Sequence, residues 1–585
     1  MPVGFRGVTL IAPGVASYID DSLASAPVTA APTAMGIVGV AERGEPNVAV
    51  SFTDASTAYA YYGLGTDNAP LVRGIVRALA AGAGTVYGVR IGSAKPFEAR
   101  IAGATGNPIV VYSREWGKAV KPWTIQIANA SNYATKPGKK IILTTHDGLE
   151  RQYVVDKIYK EYISVISATS DSGTFAVDNE KITITIGTNA AKQYTFIDYP
   201  KLGNLIAAVH NDGLCSIELA KGATSSLETR FLDAPSTPYT INASNGAVTT
   251  ILANTKAVFD VLNTGLLRAL VRPEWESNYV LTNGVYGFKY YVTVGGTELD
   301  KSNDNTYVDP TITANDWSAG FAKLAEVDVS VVVPMTGDDL FIAHGVEHVR
   351  SLSSPEYSKE RILVAGGPDN QPMSDAIAMA ESFNEKRAVF CWPGIQDYAR
   401  GGELEIYPPY YLAAQIAGIL TSQSDPSEPL TNKSVAVPAL EFIPTRDEVD
   451  ELIMGGVLTL KTDVQRGITV AQSVTSWTGD LAYARREIST VRAADRTVRA
   501  VRESIQQYVG GKSSGTIVGL INQKVKESLE NAAAQGWIVT DPTNPSLYPA
   551  WKNIVVRPVG DAYYVDFTIS PAKPLNYLLI TAYVN

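Results

Sequence analysis

Apolar and polar residues alternate near the end of the chain. Between Tyr563 and Ile569 every second side chain is a large apolar one, and this period of two is typical of a β-strand with one buried face. Residues 559–561 ahead of it predict a hairpin turn, with residues 554–556 in the preceding strand. Residues 577–584 are predicted to form a last strand that is apolar on both faces. A terminus is usually polar and frayed, so we expect this one to be buried against its own chain or another.

The first 94 residues divide into an arm and a compact stretch. Residues 1–34 hold one short strand, residues 7–12, and too few apolar residues to fold alone. Residues 35–94 are predicted to form a strand, two helices and a second strand. The strands are expected at 36–41 and 85–91, with one helix capped at Asp54 and the next beginning at Pro70.

The middle of the chain is predicted to be rich in strands. These are expected at residues 140–145, 152–155, 162–166, 181–186 and 193–197, with one helix at 202–209. Apolar residues at helical spacing around Val258, Leu262 and Leu266 predict a long helix over residues 246–271.

From residue 317 onward, apolar strands alternate with helices, which predicts a parallel or mixed sheet. The strands are expected at 327–333, 361–365 and 388–392, and the helices at 317–324, 338–350, 374–384 and 407–421. Residues 446–460 predict a capped helix, a glycine stop and a strand. Residues 481–509 and 517–533 predict two further helices before the terminal strands.

Together these patterns predict an α+β multidomain protein, with a discontinuous α/β core, an inserted β-rich domain and extended strand arms at both ends. A length of 585 residues agrees with several domains. The expected divisions are an arm (1–34), the first part of the core (35–94), an inserted variable β-rich region with a long helix (95–284), an α/β domain (285–430) and a C-terminal domain with the terminal strand arm (431–585).

Composition narrows the classes of function. The chain has 49 basic and 59 acidic residues and a formal charge of −10, which argues against nucleic acid or an anionic membrane as partner. No run approaches the ~20 apolar residues of a membrane span, and the first residues lack the apolar stretch of a signal peptide. We therefore expect a protein made inside the cell, with Cys215 and Cys391 reduced and buried.

Three short strings suggest catalysis, and each fails on its context. His344 to His348 matches H-x-x-E-H, which on a helix places two imidazoles one turn apart for zinc, but a glycine weakens the helix and no further histidine follows. Residues 511–515 match the serine motif G-x-S-x-G, but a helix precedes them and no histidine comes later. Residues 510–513 match only the end of a phosphate-binding loop. We expect no enzyme, no metal and no cofactor.

The helix predicted over residues 481–509 carries a concentration of arginine. Six arginines fall between Arg485 and Arg502 against two acidic residues. Arg492, Arg496 and Arg499 share one face through i+3 and i+4 spacing. A solvated face is one interpretation. The other is that this face docks an acidic partner surface, since arginine suits two-point pairing with carboxylates.

Several segments, in this order, carry a resemblance to a known family. They begin with the Pro-Gly-Val arm at residues 13–15 and are residues 37–47, 82–91, 295–296, 316–317, 327–334, 449–457, 466–468, 488–492 and 571–583. The chain resembles the tail sheath proteins of contractile bacteriophages, relatives of type VI secretion and R-type pyocin sheaths. The resemblance covers residues 1–92 and about 285–585. Residues 95–284 carry no family motif and would be variable insertions on the outer surface.

The resemblance implies a structural subunit that polymerises helically around a tail tube and contracts to drive the tube through the host envelope. It also implies that each subunit lends its terminal arms to its neighbours as strands, a form of β-augmentation. The residues of the arms that would make this link are Val8, Leu10, Tyr577, Leu579 and Tyr583.

The implied partners are further copies of the chain in stacked rings, hexameric in the family, the tail tube protein, and baseplate and tail terminator proteins. No nucleic acid or membrane partner is implied. The arginine face and, on the next helix, Lys524 and Lys526 would face an acidic tube. The protein would lie in the virion tail after assembly in the host cytoplasm.

Two other classes of function stay open. One is an adhesin or receptor-binding protein with the β-rich insertion as its binding face. The other is a zinc hydrolase built on His344 and His348. Electron microscopy separates the first alternative from a sheath, because a sheath protein forms tubes and an adhesin forms discrete particles. A metal assay of the purified protein tests the hydrolase.

Overall fold

The structure is a computed structural model. It describes residues 3–5, 8–10, 34–117, 123–146, 150–166, 172–213, 215–241, 248–294, 296–302, 311–399, 402–513, 515–576 and 580–581. The chain forms two compact units. We call them the split unit (residues 1–93 and 311–585) and the inserted unit (residues 94–310). Within the described residues, no helix is long and apolar enough to cross a membrane.

The first part of the split unit has the predicted order of strand, two helices and strand. Its elements are β1 (Val3–Phe5), β2 (Val8–Leu10), β3 (Ala34–Gly39), β4 (Ala49–Phe52), α1 (Ala55–Tyr62), α2 (Leu71–Ala80) and β5 (Thr85–Arg90). The predicted cap is confirmed, because Oδ1 of Asp54 accepts a hydrogen bond from the backbone N–H of Thr57 at 2.9 Å. The structure adds β4, which the sequence pattern did not predict.

The inserted unit consists mainly of short strands. Its strands are β6 (Pro96–Ile101), β7 (Ile109–Trp116), β8 (Thr124–Asn129), β9 (Lys139–His146), β10 (Glu150–Ile158), β11 (Glu161–Ile166), β12 (Gly173–Val177), β13 (Lys181–Ile186), β14 (Lys192–Thr195), β15 (Ser216–Leu219), β16 (Tyr239–Ile241), β17 (Val248–Leu252), β18 (Val271–Trp275), β19 (Gly284–Gly287), β20 (Tyr291–Val294) and β21 (Thr297–Asp300). Its helices are α3 (Leu202–Asp212), α4 (Asn254–Leu262) and α5 (Gly265–Leu270).

These strands pair antiparallel in small sheets that enclose two apolar cores. In β13, for example, Ile182, Ile184 and Ile186 point into one core, while the residues between them are less buried. This is the alternation from which the strands were predicted. The unit continues past residue 284, because β19 pairs with β8 and the unit ends at Pro310.

The prediction of one long helix over residues 246–271 is wrong. Residues 248–252 form β17, which pairs with β11, and the helical part is broken between α4 and α5. Valine, threonine and isoleucine at 248–251 favour a strand. The first turn of α4 is capped from a distance, since Asp233 accepts hydrogen bonds from the backbone N–H groups of Asn254 and Thr255 at 2.8 and 3.0 Å.

The second part of the split unit alternates helices and strands. Its helices are α6 (Ala314–Leu324), α7 (Asp339–Leu352), α8 (Met373–Phe383), α9 (Pro409–Ser422), α10 (Arg446–Met454), α11 (Tyr483–Arg486), α12 (Ile488–Ile505) and α13 (Gly515–Ala534). Its strands are β22 (Val331–Pro334), β23 (Ile362–Gly366), β24 (Ala388–Trp392), β25 (Ile395–Tyr398), β26 (Leu404–Tyr407), β27 (Ala439–Leu440), β28 (Val457–Asp463), β29 (Gly467–Val470), β30 (Trp551–Val559) and β31 (Ala562–Ile569).

The split unit is organised around an eight-stranded sheet in the order β29-β28-β24-β23-β22-β3-β5-β4. The six inner strands are parallel, and the two edge strands, β4 and β29, run antiparallel to their neighbours. One face is covered by α1, α2 and α9, and the other by α6, α7 and α8. Of the predicted α+β multidomain fold, the structure confirms a mixed α/β protein with a central mixed sheet and several small antiparallel sheets. Cys215 and Cys391 are buried and unbridged.

Candidate functional site

The C-terminal hairpin packs on the last two helices of its own chain. β30 and β31 pair from Trp551 opposite Ile569 to Val559 opposite Ala562, which confirms the predicted hairpin. One face of this hairpin rests on buried residues of α12 and α13, among them Val525 and Leu529. The hairpin side chains that pack there are Trp551, Ile554, Val556, Tyr563, Val565, Phe567 and Ile569. The apolar face therefore has a partner within the chain.

The hairpin has only two strands in the described part of the chain. Just beyond β31, a single bridge joins Ile538 and Pro571. The outer edge of β30 carries no paired strand among the described residues. An edge of this kind presents unpaired N–H and C=O groups, which makes it a template for a further strand.

The chain leaves the hairpin along the start of α12. The backbone N–H of Ala572 donates to the carbonyl of Trp537 at 3.0 Å. Four residues further on, Oδ1 of Asn576 accepts a hydrogen bond from Thr431 at 3.3 Å. The residues of the C-terminal arm proposed as links, Tyr577, Leu579 and Tyr583, lie outside the described residues, and so do the side chains of Val8 and Leu10.

The face of α12 that carries the arginines is not exposed to solvent. Arg492 and Arg496 are 8% and 3% exposed, so the expectation that they present an exposed basic surface is wrong for the isolated chain. The helix α12 is buried on several sides, because it is held between the central sheet and the C-terminal elements. Arg492 donates to the side chain of Gln423 at 2.7 Å and to the carbonyl of Leu420 at 2.6 Å.

Three ion pairs fasten α12 to residues that precede parallel strands of the central sheet. Asp495 pairs with Arg387, just before β24. Arg502 makes two hydrogen bonds to Glu360, before β23, at 2.7 and 2.8 Å. Arg499 pairs with Asp328, before β22, at 3.0 Å. Two-point pairing of this type fixes orientation as well as distance. The arginines therefore position α12 within its own subunit.

The signal for this burial lies in the small residues between the arginines. Ser489, Ala493 and Thr497 repeat every four residues and are at most 1% exposed. A row of small residues allows another element to approach the helix closely. Sequence reasoning that followed only the charges missed this face.

Lys524 and Lys526 lie on α13 and are accessible. Each pairs with a glutamate of the same helix, Lys524 with Glu527 at 2.6 Å and Lys526 with Glu530 at 3.7 Å. Their side chains are 41% and 53% exposed. These two lysines are the members of the predicted tube-facing set that lie open to a partner in the isolated chain.

The H-x-x-E-H string lies within α7, as the motif requires, but its groups are engaged elsewhere. Nε2 of His348 lies 3.1 Å from Nη1 of Arg361. Burial, together with the charge of Arg361, lowers the pKa of His348 to about 3. Nδ1 of His344 lies 3.1 Å from the hydroxyl of Ser318, and Glu347 pairs with Arg350. In the described part of the chain, no three His, Cys, Asp or Glu residues are placed to hold a metal ion.

The close packing of α7 on the central sheet explains the glycine within that string, Gly345. A Cβ at this position would lie 2.8 Å from Cδ1 of Leu363, so a larger residue would require the Leu363 side chain to move. The G-x-S-x-G string lies between α12 and α13, where Oγ of Ser513 is 2.6 Å from the hydroxyl of Tyr563. That serine fixes the loop to the terminal hairpin and is not on a strand-to-helix elbow.

Comparison with known proteins agrees with this arrangement. The family model for the phage tail sheath protein central domain matches residues 311–476. The tail sheath protein of Bacillus phage SP01 is 26% identical over 286 residues, which is 48% of this chain and 48% of that protein. The putative tail sheath protein of Enterococcus phage phiEF24C is 23% identical over 558 residues, or 93% of this chain and 92% of that protein. The matched region thus spans about half the length of the first relative and nearly all of the second.

A solved structure has the same fold. The sheath tail protein of Listeria innocua superposes with a TM-score of 0.50 at 13% identity, covering 94% of each chain. The chain is thus similar to phage tail sheath proteins, and the match to the family model lies in residues 311–476.

Proposed function

We propose that the protein is the sheath subunit that polymerises helically around a tail tube and contracts, driving the tube through the host envelope. The observation that carries the proposal is the terminal hairpin, which is seated on α13 and has an unpaired outer edge in the described part of the chain. Similarity to tail sheath proteins supports the same conclusion from sequence.

The hairpin is suited to accept strands from neighbouring subunits. A two-stranded sheet is marginal alone, but here one face is anchored by Leu529 and its neighbours, so the edge is held in place. A strand of about five residues added to it would gain four or five ladder hydrogen bonds at ~1 kcal/mol net each. This is strand addition, in which backbone groups supply affinity and side-chain pockets supply specificity.

The terminal arms are the strands that we propose each subunit lends. In the described residues, β1 pairs only with β2, with Val3 opposite Leu10 and Phe5 opposite Val8. Two strands of three residues form a small ladder that a longer edge can replace. We assign the linking role to Val8, Leu10, Tyr577, Leu579 and Tyr583.

Subunits linked in this way form an open assembly. A strand lent to a neighbour is a heterologous contact, and such contacts build helices when they do not close. Contraction would then proceed as rigid-body rotation of the subunits, with the lent strands keeping neighbours connected. The ion pairs of α12 support this view, since they hold the α/β layers and the hairpin helices of the split unit together.

The proposed partners follow from this role. They are further copies of the chain in stacked rings, a tail tube protein, and baseplate and tail terminator proteins. The proposed location is the virion tail, after assembly in the host cytoplasm.

Electron microscopy of the purified protein tests the proposal. We expect helical tubes of uniform diameter that lengthen with protein concentration. Discrete particles at every concentration, with or without tail tube, would contradict the proposal and favour an adhesin.

A further inference from the structure

Arg496 of α12 is a buried arginine of the split unit. It is 3% exposed, and all three of its guanidinium nitrogens are buried. Among the described residues, none of these nitrogens has a hydrogen-bond acceptor within reach. A buried polar group without a partner is destabilising, and a buried charge without one is more so. The described part of the chain therefore keeps a strong donor for which it supplies no acceptor.

Arg496 lines a small cleft between α12 and the ends of the central strands. The cleft has a volume of about 40 Å³. A single water needs only about 10–15 Å³ of such space, so there is room for a group of several atoms. The charged residues around the cleft are Glu360, Arg492, Asp495, Arg496 and Arg499.

The carboxylates of this cleft are already engaged. Glu360 accepts two hydrogen bonds from Arg502, and Asp495 accepts two from Arg387. Arg499 is paired with Asp328. These pairs leave Arg496 without a hydrogen-bonded carboxylate among the described residues.

Arg492 is in a similar position. Its two hydrogen bonds go to a neutral amide, that of Gln423, and to a neutral carbonyl, that of Leu420. Burial lowers the pKa of both Arg492 and Arg496 to about 10. The ring of Trp537, with its centroid 6.0 Å from Cζ of Arg496, offers that cation only an aromatic face at the limit of useful distance.

We propose that this cleft binds one carboxylate group, held by Arg496 with the charge of Arg492 beside it. A guanidinium presents a planar fork that matches the two oxygens of a carboxylate, and desolvation strengthens the pair. The carboxylate comes either from an acidic side chain of a second copy of this chain or from a free carboxylate in solution. The proposal stands on the cleft and does not depend on the sheath function.

The first experiment tests the free carboxylate. Thermal unfolding of the purified chain is followed in sodium acetate and in sodium chloride of equal ionic strength. Any ligand that binds only the folded state raises its stability. We expect acetate to raise the midpoint of the wild type and to have no such effect on Arg496→Met. Arg446→Gln removes an exposed arginine of α10 and should keep the full response to acetate.

The second experiment tests a carboxylate from another copy. Sedimentation of the same variants gives the concentration at which half of the chains self-associate. If a neighbour fills the cleft, acetate leaves the wild-type monomer unchanged, Arg496→Met melts at least as high as wild type, and its half-association concentration rises about tenfold or more. A tenfold change corresponds to the loss of about 1.4 kcal/mol per contact.

Two results overturn the proposal. In one, acetate shifts the wild type and Arg496→Met equally, which is a general effect of the salt. In the other, acetate shifts neither, and Arg496→Met self-associates as the wild type does. Arg496 would then be satisfied by water alone.

Discussion

Arg387 and Asp495 lie 108 positions apart and form a two-point ion pair inside the split unit. Nη2 of the arginine donates to Oδ1 of the aspartate at 2.7 Å, and Nη1 donates to Oδ2. The side chains are 7% and 12% exposed. The pair joins the first residue before β24 to the middle of α12, so it connects the central sheet to the helix beneath the terminal hairpin.

Breaking this pair from one side should be costly. We expect Asp495→Asn to lower the free energy of unfolding by about 3–5 kcal/mol, because it leaves Arg387 buried with an uncompensated charge. Urea unfolding measures the loss. As a control, Asp566→Asn breaks an exposed pair with Arg557 and should cost at most about 1 kcal/mol. Equal losses in the two variants would show that the buried pair does not hold α12.

Glu487 should give the protein a specific dependence on pH. It is 1% exposed, and burial raises its pKa from 4.5 to about 7, while Ser473, Ser489 and Asn576 oppose this through hydrogen bonds. Between these two pKa values the folded chain binds the proton and the unfolded chain has released it. The stability contributed by this group is therefore lost as pH rises through the window from 4.5 to about 7.

The variant Glu487→Gln removes this pH-dependent contribution to the free energy of unfolding. We expect it to be more stable than wild type at pH 8 by about 2–3 kcal/mol, with the difference disappearing towards pH 4.5. Urea unfolding over this pH range provides the measurement. Glu451→Gln, at an exposed position of α10, should follow the wild-type profile. A constant difference between Glu487→Gln and wild type at all pH values would contradict the assignment.

The packing of the terminal hairpin on α13 can be tested by comparing two leucines of that helix. Leu529 of α13 is 0% exposed beneath the hairpin, whereas Leu520 of the same helix is 47% exposed. We expect Leu529→Ala to cost about 2–5 kcal/mol of unfolding free energy, since it opens a cavity, and to speed proteolysis between β30 and β31. Leu520→Ala should change the unfolding free energy by less than about 1 kcal/mol. Similar effects at both positions would mean that the hairpin is not anchored there.

We propose that Lys524 and Lys526 contact an acidic tail tube. We expect the double variant Lys524→Glu, Lys526→Glu to melt close to wild type, because the pairs it removes are exposed and worth about 0–1 kcal/mol each. Assembly in the presence of tube should be impaired, most strongly at low salt, where exposed charges act furthest. Arg446→Glu provides the control for a charge reversal elsewhere. Unchanged, salt-independent assembly of the double variant would remove these lysines from the interface.

Local patterns predicted local structure well. The alternation at residues 563–569, the cap at Asp54 and the pattern of the capped helix that begins at residue 446 each depend on residues a few positions apart, and the structure contains the hairpin and the helices that they predict. The helix predicted over 246–271 failed because its first residues pair with β11, a partner some 85 positions away in the chain. Strand pairing over such distances is not visible in periodicity alone.

The environment of the arginines could not be predicted from their spacing. Arg499 and Asp328 are 171 positions apart, and Arg502 and Glu360 are 142 apart, so their pairing depends on the folded sheet. A charged face at helical spacing usually lies in solvent. Here the partners that bury it come from residues just ahead of three parallel strands, which only the tertiary structure brings together.

We propose that the terminal arms link subunits and contribute little to the stability of the subunit itself. Deletion of residues 1–14 tests it most directly, with tube formation and thermal unfolding measured on the same preparations. Electron microscopy should show long tubes for the full chain and none for the truncated chain, and the two midpoints of unfolding should agree to within about 2 °C. Tubes of normal length and number from the truncated chain would contradict the account.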